Sequence, residues 1–283
     1  MSYTFDQVYE ATVRRKGLDP ASVTLDAGQQ EAIAEWITER TLEAWDWGWW
    51  PELLELERRQ YRADWDAGKT YATGDEVYYA PEDKYYVALQ ASTNKNPASE
   101  TDYWEEQDEL DRYVALDQTG ETEIHAVRRA AKRNPRVSDY PDFLEVGLSK
   151  NGIQFDTLAP SRPYLEFKRP PPRFTRTAWS EATTYAKGAL VYVASTGQCY
   201  ESLQAANLNK NPTSETSWWT VQTFPTLFFD WIRRAAKVDA LREDGEETKA
   251  DRQESAAYEK LANLYDVKTA AQKQFRTAEV RLT

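Results

Sequence analysis

The sequence is poor in the side chains that hold metals and do covalent chemistry. Its 283 residues include one cysteine, Cys199, and one histidine, His125. A lone cysteine excludes an intrachain disulfide, and one of each excludes the usual zinc sites built from several Cys and His ligands. No G-x-x-x-x-G-K-[ST], G-x-G-x-x-G or G-x-S-x-G stretch occurs. The phosphate-cradling loops and the serine-presenting turn therefore have no counterpart. His125 lies in EIHAVRRAAKR, a predicted strand, where a surface or partly buried position is expected. The acidic pairs Glu105-Glu106 and Asp64/Asp66 have the residue types of glycosidase carboxylates, but a solvated acidic surface accounts for them. No cofactor, metal or enzymatic activity is expected.

Long apolar runs are missing too. None approaches the roughly 20 residues that span a bilayer, and the opening MSYTFDQVYE has no basic-then-apolar signal pattern. The expectation is a protein made soluble in a cytoplasm, though it acts in an assembly elsewhere, with no membrane partner. Positive charge is scarce: the net charge is −12, and residues 1–107, with 22 acids and 10 bases, account for all of it. Affinity for phosphates comes from Lys and Arg. Such a chain suits a passage through which DNA slides without sequence recognition better than a surface that grips it. The one basic cluster is Arg128, Arg129, Lys132 and Arg133, with Arg136 close by. Such a cluster suits contact with nucleic acid or with an acidic neighbouring subunit, and with the excess of acids in residues 1–107 the second is its expected use.

What is plentiful is aromatic: 11 Trp and 17 Tyr. Many fall in a stretch that occurs twice, at 65–107 and 179–222. Trp65, Tyr71, Gly74, Val77, Tyr78, Tyr86, Leu89, Gln90 and Ala91 recur 114 positions later as Trp179, Tyr185, Gly188, Val191, Tyr192, Tyr200, Leu203, Gln204 and Ala205. After a one-residue insertion, Asn94-Lys95-Asn96-Pro97 returns as Asn209-Lys210-Asn211-Pro212, and Trp104 as Trp219. Stacked repeats must adjoin to share a core. These copies do not, so they read as two small β modules set into a host. About 43 residues is near the lower limit for a self-sufficient core, and rings are the means of filling it.

Around the modules, the spacing predicts a helix over residues 4–16, opened by the capping-box pair Thr4 and Gln7, and a second from Asp26 and Gln29 to about Trp45. WDWGWWPELL then packs four tryptophans into six positions, an expected aromatic corner with most rings buried. The segments RYVAL, EIHAVRRA, FLEVGL, IQF and YLEFKR alternate as strands, with Asn151-Gly152 as a hairpin turn. Two helices follow the second module, broken at Asp244-Gly245. The expected class is α+β: a helical core from the N- and C-terminal helices with central antiparallel strands, plus two small inserted all-β modules. The expected boundaries are 1–64 (helices and aromatic corner), 65–107 (first module), 108–178 (central strands), 179–222 (second module) and 223–283 (helices and arm).

The module pattern W-x(5)-Y-x-x-G-x-x-V-Y, then a Tyr, Asn-Pro and a final Trp, resembles the small carbohydrate-binding modules of families 5 and 12, the chitin-binding type. The family's exposed aromatic pair is replaced by Val87-Ala88-Leu89-Gln90 in one copy and Glu201-Ser202-Leu203-Gln204 in the other. Glycan contact would then fall to Tyr79, Tyr85, Tyr103 and Trp218. The frame, through TFDQVYEATVRRKG, Trp50-Pro51-Glu52, YLEFKRPPPRFT and the C-terminal FFDWIRRAAKVDALREDGEETKADRQESAAYEKL, resembles a tailed-bacteriophage head–tail adaptor, or connector. That resemblance implies a virion protein forming a homo-oligomeric ring, typically of twelve copies, docked under the portal protein. It would extend the DNA channel and seat the next neck or tail protein. Residues 272–283 would be an arm reaching the portal, with Phe275, Val280, Arg281 and Leu282 as its contacts. The alternative function is a carbohydrate-binding protein, acting on chitin or a surface glycan through the modules.

Overall fold

The computed structural model describes residues 3–22, 24–107, 110–118, 121–156 and 159–278. The fold is mixed α+β, with four α-helices and many short antiparallel strands in small sheets among the described residues. It divides into two compact units, Met1–Pro51 with Pro171–Thr283, and Glu52–Pro170. Each unit contains one module. The repeat and its flanking segments predict both modules in one frame, whereas the chain divides between them. What separates them is the partner each module's back face finds, which the repeat itself does not encode.

In the first unit, α1 (Phe5–Arg15) starts at Thr4. The Thr4 hydroxyl accepts from Gln7 N–H, and the Gln7 side chain reciprocates, satisfying two of the donors that a helix start leaves open. Helix α2 (Ala27–Asp46) opens in the same way on Asp26 and Gln29. Phe5, Val8, Tyr9 and Val13 of α1 and Ile33, Ala34, Ile37 and Ala44 of α2 are buried, the helical spacing expected of inward faces. Helices α3 (Phe229–Glu243) and α4 (Glu247–Ala278) turn at Gly245, whose φ of 77° is the left-handed conformation glycine adopts without strain. Asp239 of α3 takes the Trp36 indole N–H at 2.5 Å and Arg40 at 2.9 Å, tying α3 to α2. Arg242 of α3 holds Glu254 of α4 at 2.7 Å.

The tryptophan corner is split. Trp45 and Trp50 are buried, Trp49 is half-buried, and Trp47 is exposed, its ring stacked on Tyr258 at 5.4 Å. The four do not share one direction because Trp45 ends a helical face while Trp47 lies beyond its last buried turn.

In the second unit, a four-stranded antiparallel sheet has the order Leu54–Arg58, Tyr164–Lys168, Ala126–Ala131, Phe143–Leu144. A three-stranded sheet has the order Val146–Ser149, Gly152–Phe155, Tyr113–Val114. Leu165, Phe167, Ile153, Val114 and Ala130 from these sheets form a core with Tyr61, Ile124 and Phe155. Buried Arg59 stacks its guanidinium 4.9 Å from the Phe167 ring and pairs with Glu57 and Glu121.

The hairpin expected at Asn151-Gly152 turns one residue earlier, at Lys150-Asn151, because Ser149 pairs with Gly152. Gly152 is instead a strand residue at φ 133°, and a Cβ there would stand 2.2 Å from the Val114 carbonyl oxygen. Only glycine lets these two strands approach. Gly152→Ala is therefore expected to cost at least about 1–3 kcal/mol, read as a lower urea midpoint. An unchanged midpoint would show that the strands part without penalty.

Candidate functional site

The two modules repeat in three dimensions what they repeat in sequence. In the first, Glu76–Tyr79, Lys84–Ala88 and Trp104–Glu106 form a meander, and Thr70–Tyr71 pairs with Ser92–Thr93. In the second, Leu190–Val193, Gln198–Ser202 and Trp219–Gln222 do the same, with Thr184–Tyr185 on Asn207–Leu208. Val77 faces Tyr86 as Val191 faces Tyr200. The indole of Trp104 donates to Lys95 O at 2.9 Å, and that of Trp219 to Lys210 O at 2.8 Å. Tyr71 meets Trp104 edge-on at 5.2 Å, and Tyr185 meets Trp219 at 5.3 Å. The repeated residues thus form the small core on one face of the first module's sheet, and Val191 and Trp219 are buried at the equivalent places in the second.

Strand alternation puts Tyr78 and Tyr85, or Tyr192 and Cys199, on the opposite face, and there the copies differ. Tyr78 and Tyr85 enter the core of the second unit. The Tyr85 hydroxyl donates to Ser161 O at 2.6 Å and accepts from Tyr61 N–H at 3.0 Å. In the first unit, Tyr192 donates to Asp6 of α1 at 2.7 Å, and Arg176 holds the same carboxylate at 2.5 Å. The Cys199 thiol donates to Thr175 O at 3.2 Å. Phe174, beside it, stacks on Phe5 of α1 at 5.1 Å. Each module is thus one layer of its unit's packing, and its back face is closed.

The four expected glycan contacts are not brought together. Tyr85 is buried, a correction to its assignment, because its ring fills the second unit's core. Tyr79 is half-buried, edge-on to Trp65 at 5.9 Å, and its hydroxyl accepts from Asn96 at 2.8 Å. Tyr103 and Trp218 occupy equivalent places in the two copies, and each already has a cation over its ring, Lys95 at 4.7 Å and Lys210 at 5.3 Å. A sugar stacking on that face would displace the ammonium.

The basic cluster also separates. Arg128 and Arg129 turn to Glu166 on the neighbouring strand, at 3.4 and 2.5 Å, so they act within the chain. Lys132 and Arg133 are exposed, and Arg133 reaches Asp142 only at 3.8 Å. Of the arm, Phe275 falls within α4, whereas Val280, Arg281 and Leu282 lie outside the described residues.

Burial pushes the Cys199 thiol from its ordinary 9.0 up to about 12. Burial, reinforced by a carboxylate acceptor, pushes Tyr192 and Tyr78 from 10.0 up to about 12. A group whose folded pKa is raised stabilises fully below its unfolded pKa and loses that contribution as pH climbs to the folded value. Stability is therefore expected to decline from about pH 9–10 toward 12. Cys199 should resist thiol reagents at pH 8 until urea opens the first unit. Rapid labelling of the native chain would contradict the burial.

Among the described residues, no three His, Cys, Asp or Glu side chains gather as a metal site, and no helix is long and apolar enough to cross a membrane. An open cleft of about 560 Å³ between α1 and α3 is lined by Tyr3, Arg14, Arg15 and Arg233 among others. The chain matches no family model, no curated protein and no solved structure.

Proposed function

We propose that the chain is a structural protein of a tailed-bacteriophage virion. Its copies form an adaptor ring under the portal, extend the DNA channel and seat the next tail component. On this reading the N- and C-terminal helices are the core of the frame, and the modules are insertions with a packing role. One observation carries the proposal beyond resemblance. Helix α4 packs through Ala250, Ala257 and Leu261, whereas further along it Asp266, Val267 and Ala270 are exposed, Val267 by 66%, and the helix continues to Ala278. An exposed apolar side chain such as Val267 on that face is open to a partner, and the segment it belongs to leads toward residues 272–283.

Removing residues 272–283 is expected to abolish binding to purified portal complexes while leaving the unfolding free energy, read by urea titration, within about 0.5 kcal/mol of the full chain. A truncated chain that docks as well as the full one would remove the arm from the proposal. A full chain that never docks would remove the proposal itself. Retention on chitin, lost in Trp218→Ala, is the result that would favour the carbohydrate-binding reading instead.

A further inference from the structure

The geometry points to a small-molecule site in the cleft between α1 and α3, one that takes a phosphate monoester carried on a planar ring, the chemistry of a nucleoside monophosphate. It is separate from the arm and from both modules.

The cleft holds about 560 Å³, within the range of small-ligand pockets, and its walls all belong to the first unit. Tyr3 and Phe229 line it and stack on each other, with centroids 4.0 Å apart and planes 18° from parallel. Neither ring is fully buried, and a stacked aromatic pair of this kind is a platform for another flat ring. Arg14, Arg15 and Arg233 line the same cleft, with Glu10 as the acid in its wall. Three bases against one acid leave a local excess of two positive charges, in a chain whose net charge is −12.

The three arginines differ in what already answers them. Arg14 pairs with Glu10 at 3.0 Å. Arg15 makes no ion pair or side-chain hydrogen bond among the described residues. Arg233 reaches Asp230 only at 4.0 Å, and the other oxygen of that carboxylate is held by Arg234 at 3.2 Å. The helix dipole accounts for bases in the last turn of α1, where Arg14 and Arg15 stand. It does not account for Arg233, which lies in the second turn of α3, toward the end of the helix that favours anions. The Arg233 guanidinium stands 5.6 Å from the Phe229 ring, so charge and platform are side by side.

Charge and shape together select the ligand. A carboxylate brings one negative charge, whereas a phosphate monoester brings about 1.5–2 at pH 7, and its oxygens accept from two guanidinium forks at once. A ring on the same molecule covers the aromatic pair, which inorganic phosphate leaves unused. A free nucleotide and the 5′-phosphate end of a single strand both present this chemistry.

The test is isothermal titration calorimetry on the full chain. The probes are adenosine 5′-monophosphate, adenosine, inorganic phosphate, and a short single strand with or without a 5′-phosphate. The monophosphate is expected to bind saturably, and at least about tenfold more tightly than adenosine or inorganic phosphate, or roughly 1.4 kcal/mol. Arg15→Gln and Arg233→Gln should each weaken it by a similar factor. Arg15 is exposed and unbonded, so its variant should keep the wild-type melting curve. Tyr3→Phe should keep the affinity, and Tyr3→Ala should lose it. Glu10→Gln should tighten binding, because it releases Arg14. Tighter binding of the 5′-phosphorylated strand than of the monophosphate would identify a strand end as the source, and the reverse a free nucleotide. A monophosphate that does not bind, or binds no better than adenosine or inorganic phosphate, would overturn the inference. Affinity indifferent to both arginine variants would place the ligand elsewhere and overturn it as well. So would a strand lacking the 5′-phosphate that binds as well as the strand carrying it, since a diffuse basic surface would then suffice.

Discussion

Replacing Tyr85 with cysteine, the residue its own repeat carries, is expected to destabilise the second unit by about 3–5 kcal/mol. The substitution deletes a buried phenol that fills a core with Tyr61, Tyr78 and Phe155. It also removes the hydroxyl between Tyr61 N–H and Ser161 O, and an orphaned buried partner alone costs about 1–3 kcal/mol. The converse change, Cys199→Tyr, drives a ring into a site where the thiol is wholly buried and 3.2 Å from Thr175 O. Overpacking by a few methylenes costs about 1–3 kcal/mol, and a phenol adds much more, so the first unit should lose its fold. Hydrogen exchange separates the two outcomes. Tyr85→Cys should lower protection in residues 52–170 and spare the remainder, and Cys199→Tyr should do the opposite. Equal loss everywhere, or none, would mean that the back faces do not build the two cores.

Trp50→Ala is expected to cost the first unit about 3–5 kcal/mol, and Trp47→Ala less than about 1. Trp50 is fully buried, edge-on to Phe228 at 5.3 Å and Tyr265 at 5.1 Å. Its indole N–H donates to Ala44 O at 2.8 Å, satisfying a carbonyl in the last turn of α2, where no further helical donor follows. Trp47 stacks on Tyr258 with its outer face in water. Three residues apart and chemically identical, the two differ only in what surrounds them. Urea titration of both variants checks the contrast, and similar midpoints would refute the assignment of Trp50 as the ring that closes the corner.

Much of the local structure is legible in the residues. Thr4 with Gln7 and Asp26 with Gln29 mark two helix starts to within a residue. The repeat marks two modules of equal topology, down to the tryptophan that caps each one. These signals are local: a capping box needs four residues, and a module core needs rings at fixed spacing in one short meander. The glycan candidates were less legible. Period-two alternation says that Tyr85 and Tyr86 face opposite sides of a strand, but both sides turn out to be covered.

The sequence by itself determined the helices, the modules and the absence of the usual metal and nucleophile motifs, because each depends on residues close together in the chain or on composition. Only the tertiary structure decided which half of the chain each module packs against, that Arg128 and Arg129 are taken up by Glu166 while Lys132 and Arg136 are not, and that Gly152 sits in a strand instead of a turn. Those outcomes depend on side chains tens of residues apart meeting across a sheet, and no spacing along the chain encodes which partner arrives.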